Sequence, residues 1–93
     1  MDVKYLNYIL AIANRHNMTK AAEDLFVSQS SLSQYLSRLE QELGTPLFIR
    51  SKGELSLTSA GVLYVEAAQK VVKIQKDLYQ NIAALSQKGR IRV

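Results

Sequence analysis

Between Met18 and Leu43 the chain reads MTKAAEDLFVSQSSLSQYLSRLEQEL, a pattern of two short helices with one sharp joint. In the first, Ala21, Ala22 and Leu25 are small or apolar residues at one-turn spacing, which lets a second helix approach closely. Phe26 and Val27 make the joint, with Val27 as the plug between the helices, and Ser28 stands where a helix start needs a side-chain oxygen. The second helix is predicted to run to Gly44, a residue suited to a left-handed closing position, and Pro46 bars continuation. Leu32, Leu36, Leu39 and Leu43 are spaced four, three and four, which makes one buried stripe.

At about 100° per residue the opposite face carries Ser30, Gln34, Ser37 and Gln41, flanked by Ser33 and Arg38. A helix face that only meets water usually carries Lys and Glu, which favour the helix. Amides and hydroxyls in their place suit hydrogen bonding to base edges in a DNA major groove, where Gln pairs bidentately with adenine and Ser adapts to several bases.

Upstream, Val3, Leu6, Leu10 and Ala13 form a stripe that Ile9 and Ile12 widen, predicting a first helix from an Asp2 cap to Arg15. Tyr5 and Tyr8 flank the stripe and read as edge-of-core packing. His16 and Asn17 form the connection, His16 as a surface residue. Either Asn17 or Thr19 caps the next helix, and Thr19 and Lys20 lie in its first turn, a place for a phosphate.

Downstream of Pro46 the period changes. Residues Leu47 to Arg50 and Leu55 to Leu57 read as two short strands joined by a turn at Lys52-Gly53. Two strands are not stable alone, so their leucines and Phe48 must pack on the helices; such a hairpin is a wing, with Arg50 at its base and Lys52 near its tip facing phosphates or a minor groove. Thr58 opens a last helix expected to end between Ser86 and Gly89, followed by a turn and the first residues of a strand over Lys88 to Val93. Gly61 in its first turn costs up to about 1 kcal/mol relative to Ala, which points to a close backbone approach, expected against the first helix. About 29 residues give a rod of roughly 43 Å, too long for the small domain to cover. Its apolar seam nevertheless persists: Tyr64, Val71, Leu78 and Leu85 recur every seven residues, with Ala67 and Ile74 between them and Ile82 alongside. A second copy of the helix would cover that seam most simply.

Composition narrows the function. Ninety-three residues make one domain, and 47% apolar with 22% charged is ordinary for a globular chain. Absence of cysteine excludes a disulfide framework and a thiolate zinc site, and a single histidine leaves metal binding and histidine-based catalysis without partners, so no enzyme is expected. No membrane-length apolar run and no charged-then-apolar leader is present in these residues, which makes the expected location cytoplasmic, away from any membrane. The net charge is +4. Its distribution is uneven: Lys4, Arg15, Lys20 and Arg38 face five acids in residues 1–45, whereas Arg50, Lys52, Lys70, Lys73, Lys76, Lys88, Arg90 and Arg92 face only Glu54, Glu66 and Asp77 beyond. An anion-binding surface therefore draws on the wing and last helix too.

Taken together, the residues resemble the amino-terminal region of LysR-type transcriptional regulators. The matching signatures are Thr19-x-Ala21-Ala22-x-x-Leu25, Val27-Ser28-Gln29 with Leu32-Ser33, Leu39-Glu40-x-Glu42-Leu43-Gly44-x-x-Leu47-Phe48-x-Arg50, and Leu57-Thr58-x-Ala60-Gly61. The resemblance implies a mainly α fold: a winged helix-turn-helix of three helices and a two-stranded wing over residues 1–58, a dimerisation linker helix over 59–88, and over 89–93 the start of a hinge to an effector-binding domain of two α/β halves outside this chain. It implies no cofactor in this region, a small-molecule inducer acting on that further domain, a homodimer through the linker helices, and scope for higher oligomers in the full-length protein. The implied partner is double-stranded DNA with dyad-related half-sites.

Carried over by position, Gln29, Ser30, Ser33 and Gln34 face bases or nearby phosphates, while Thr19, Lys20, Ser31, Arg38 and Arg50 contact the backbone; Lys52 joins them from the wing. Tyr64, Ala67, Val71, Ile74, Leu78, Ile82 and Leu85 form the dimer seam. Three positions depart from the usual family pattern. Ser30-Ser31 replaces Pro-Ala or Pro-Thr, Gln34 stands at a position that is commonly Arg, and Gly53 replaces a wing Arg with Lys52 one place earlier. The alternative reading is a protein–protein adaptor that uses the long helix as a docking coiled coil.

Overall fold

A computed structural model describes the backbone over residues 3–92 and the side chains over residues 5–86. The Asp2 cap and the side chain of Val3 lie outside those residues. Four helices and one hairpin follow in order: α1 (Val3–Arg15), α2 (Met18–Leu25), α3 (Gln29–Leu43), β1 (Phe48–Ser51), β2 (Glu54–Leu57) and α4 (Ser59–Arg92).

Leu6, Ile9 and Ile12 of α1 are fully buried, so the face that meets the core is centred on the isoleucines, and Leu10 and Ala13 sit at its edge. Ala21 and Ala22 of α2 lie in the same core with Met18, and Leu32 and Leu36 supply the contribution of α3. The α3 stripe tapers: Leu39 is half-buried and Leu43 is exposed, because the last turn of the helix runs past the core. Tyr5 stacks on Tyr35 with ring centroids 4.3 Å apart, and Tyr8 meets both edge-on, which makes the flanking tyrosines a packed rim.

The joint follows its sequence. Phe26 closes α2 in the left-handed region (φ 57°), Val27 packs half-buried on the core, and Ser28 caps α3. Gly44 closes α3 at φ 75°. In the wing, Phe48 pairs with Leu57 and Arg50 with Leu55, and Lys52 and Gly53 both take positive φ, as a tight two-residue hairpin turn requires. Phe48 and Leu55 are buried, which anchors the hairpin.

Thr58 joins wing to α4. Its hydroxyl donates to the Pro46 carbonyl at 2.7 Å and accepts from the Gly61 N–H at 2.9 Å. A Cβ on Gly61 would lie 2.1 Å from the Leu47 carbonyl oxygen. The close approach expected at Gly61 is therefore real, but its neighbour is the entry to the wing and not α1. The end of α4 also departs from expectation. The helix continues through Gly89 to Arg92, so no turn or strand forms over the described part of Lys88 to Val93. One interior glycine costs only about 1 kcal/mol, and the Lys and Arg around it are good helix formers. The long α4 accounts for the elongated outline of 58 × 25 × 21 Å.

Candidate DNA-binding and dimerisation surfaces

α3 owes its place to its two ends. The Ser28 hydroxyl oxygen accepts from the Ser31 N–H at 3.1 Å, and the same hydroxyl donates to the Ser31 side-chain oxygen at 2.8 Å. This bond leaves the Ser31 hydroxyl hydrogen available to an outside acceptor. With the leucine stripe inward, Gln29, Ser30, Ser31, Gln34, Ser37 and Gln41 are all exposed, and Ser33 is half-buried. Ser33, Gln34, Ser37, Arg38 and Gln41 line one shallow depression on that face. Ser37 and Gln41 belong to this surface as much as Gln34 does, and their spacing, four residues from Ser33 to Ser37 and seven from Gln34 to Gln41, signals it in the sequence.

The cationic residues expected to meet phosphates are uncommitted among the described residues. The ion pairs among the described residues are Arg15 with Asp24 at 2.9 Å and Lys73 with Asp77 at 3.0 Å, and neither involves Lys20, Arg38, Arg50 or Lys52. Those four are exposed, as is Thr19. Asn17, not Thr19, caps α2: its side chain accepts from the Lys20 N–H at 2.9 Å, so that N–H is not open to a phosphate while the Lys20 ammonium is. Arg50 leaves the strand opposite Leu55, and Lys52 occupies the turn.

Polar ties fasten the wing to the helices. Glu40 of α3 accepts the N–H groups of Leu47 and Phe48 at the wing base. Nearer the tip, His16 meets Leu55: the Leu55 N–H donates to the His16 carbonyl at 3.0 Å, and His16 Nδ1 lies 3.1 Å from the Leu55 carbonyl oxygen. His16 is a surface residue as expected, yet it also holds the wing. Nothing in the local sequence announces that role, because its partner is remote in the chain.

On α4, Ala67, Ile74, Leu78, Ile82 and Leu85 are exposed and Val71 is half-exposed. Ile74 retains 68% of its accessible surface and Leu85 65%. Tyr64 departs from this stripe. It is half-buried and packs on the core, and burial pushes its phenol above the usual tyrosine range. Burial and the neighbouring Tyr64 push the Tyr35 phenol up as well. Leu63, one residue before Tyr64, is 69% exposed.

Two helices crossing at a tight joint, the second with its polar face outward, and a two-stranded wing after it define a winged helix-turn-helix protein. Residues 3–62 match the family described as "Bacterial regulatory helix-turn-helix protein, lysR family", and the chain belongs to that family of DNA-binding transcriptional regulators. It is 42% identical over 87 residues to the uncharacterized HTH-type transcriptional regulator YcgK of Bacillus subtilis (strain 168), covering 94% of this chain and 27% of that protein. To the HTH-type transcriptional regulator BudR of Raoultella terrigena it is 49% identical over 70 residues, 74% of this chain and 24% of that protein. The chain thus spans about a quarter of the length of these relatives. Among solved structures, the DNA-binding domain of CbnR in complex with DNA superposes with a TM-score of 0.80 at 31% identity, covering 92% of this chain and 99% of that one. The BenM DNA-binding domain bound to catB site 1 DNA gives a TM-score of 0.84 at 27% identity, covering 92% and 96%.

Proposed function

We propose that this chain is the DNA-reading and dimer-forming part of a sequence-specific transcriptional regulator, working in the cytoplasm as a homodimer on double-stranded DNA with dyad-related half-sites. α3 enters the major groove with Gln29, Ser30, Ser33 and Gln34 against base edges. Thr19, Lys20, Ser31, Arg38, Arg50 and Lys52 neutralise or bond flanking phosphates, which fix register without reading sequence. The α4 stripe pairs with its twin and sets the separation of the two half-sites. The protein has no catalytic task and needs no cofactor in this region. A small-molecule inducer acts on a further domain of the full-length regulator, and that domain decides whether oligomers larger than the dimer form.

The observation that carries this reading is the outward amide-and-hydroxyl face of α3, with Arg38 beside it in no ion pair among the described residues. Selection of bound duplexes from a random pool at physiological salt is the test. Enrichment of a site with two related halves supports the proposal. Recovery of an unenriched pool, held only by a salt-sensitive electrostatic attraction, favours an adaptor docking through α4.

A further inference from the structure

We propose that His16 is a positioning residue for DNA binding, acting through the wing as a one-residue substitute for a third strand. The proposal rests on the function proposed above. A two-stranded hairpin has little stability of its own, so the reach of Arg50 and Lys52 depends on what fastens the hairpin to the helices. Glu40 and Thr58 hold the base at Leu47 and Phe48. Leu55, two residues from the turn glycine, is the remaining tie on the way to the tip.

The chemistry of that tie is particular to His16. In a two-stranded sheet the outer strand leaves N–H and C=O groups unpaired on its free edge. At Leu55 both are taken up by His16: the backbone carbonyl accepts the N–H, and the ring faces the carbonyl. A third strand would use its own backbone N–H for the second bond. The His16 N–H is unavailable, because it closes the end of α1 on the Ile12 carbonyl at 2.9 Å. The imidazole takes over the role, and since the Leu55 carbonyl only accepts, Nδ1 must carry the hydrogen. The left-handed backbone of His16 (φ 56°) turns the ring toward the wing, in a region where histidine is more common than most side chains.

Four variants of the 93-residue chain test this on a selected duplex: His16→Gly, His16→Asn, Arg50→Ala/Lys52→Ala, and the combination of His16→Gly with that pair. Glycine relieves the left-handed backbone, so the thermal midpoint is expected not to fall, while affinity falls about three- to tenfold, the size of one net hydrogen bond. Asparagine tolerates the same backbone and offers an amide donor, so it recovers part of the loss. In the Arg50→Ala/Lys52→Ala background, His16→Gly is expected to have no further effect. An equal loss in both backgrounds, or no loss in either, overturns the proposal. A readout without DNA separates it from the functional reading: ring nitrogen shifts in mildly alkaline buffer should show hydrogen on Nδ1, and wing-tip amides should gain motion in His16→Gly. A hydrogen on Nε2 alone overturns the tie, whereas a parent chain with no duplex preference overturns the functional reading even if the tie is found.

Discussion

The Glu40 carboxylate accepts the Leu47 backbone N–H at 2.6 Å and, with the same oxygen, the Phe48 N–H at 3.3 Å, so α3 itself holds the entry to the wing. Leu47 and Phe48 are buried, and their N–H groups would otherwise lack partners. Glu40→Ala is expected to lower unfolding free energy by about 1–3 kcal/mol, the penalty for stranding buried donors of this kind. Glu40→Gln, which keeps an acceptor, should lose less. Urea titrations of the two variants check the order; equal stability of wild type and Glu40→Ala would remove the carboxylate from the fold's support.

Gly61 reverses the usual helix rule. In an open helix Gly→Ala gains up to about 1 kcal/mol. Here the added methyl meets the Leu47 carbonyl, a backbone atom that cannot swing aside. Gly61→Ala should therefore destabilise by about 2–3 kcal/mol, as overpacked sites do. A thermal melt with a raised midpoint would contradict this.

The helix-turn-helix was legible because its determinants are local: Ala21 and Ala22 at one-turn spacing, Ser28 at a cap and Gly44 at a stop each act on their own neighbours. Lys52-Gly53 marked the wing for the same reason. The neighbour of Gly61, the tie from His16 to Leu55 and the packing of Tyr64 on the core depend on how remote segments pass one another, which no spacing records. The end of α4 escaped for a different reason. Gly89 suggested a boundary, yet one glycine weakens a helix without ending it, and no proline follows. On α3, the helical period placed Ser30, Gln34, Ser37 and Gln41 outward, and all four are exposed, because the leucine stripe fixes which side is in.

Arg50 is exposed at the wing and engaged in no ion pair among the described residues. Arg50→Ala should weaken every duplex alike and reduce the slope of log affinity against log salt by about one unit. A salt titration with an unchanged slope would take Arg50 off the interface.

Leu78 lies exposed midway along the α4 stripe, between Ile74 and Ile82. Leu78→Lys places a charge where the proposed partner helix packs and should give monomers that bind single half-sites weakly. Sedimentation that still finds a tight dimer would refute the α4 seam.

Gln29 opens the exposed face of α3, and its amide, like that of Gln34, is suited to pair with an adenine edge. The decisive measurement is the affinity of Gln29→Ala for the best selected duplex and for random duplex, at one salt concentration. A loss of about 1–3 kcal/mol on the selected site with almost none on random DNA is the predicted result. An equal loss on both, or no loss on either, would contradict the claim that this face reads bases.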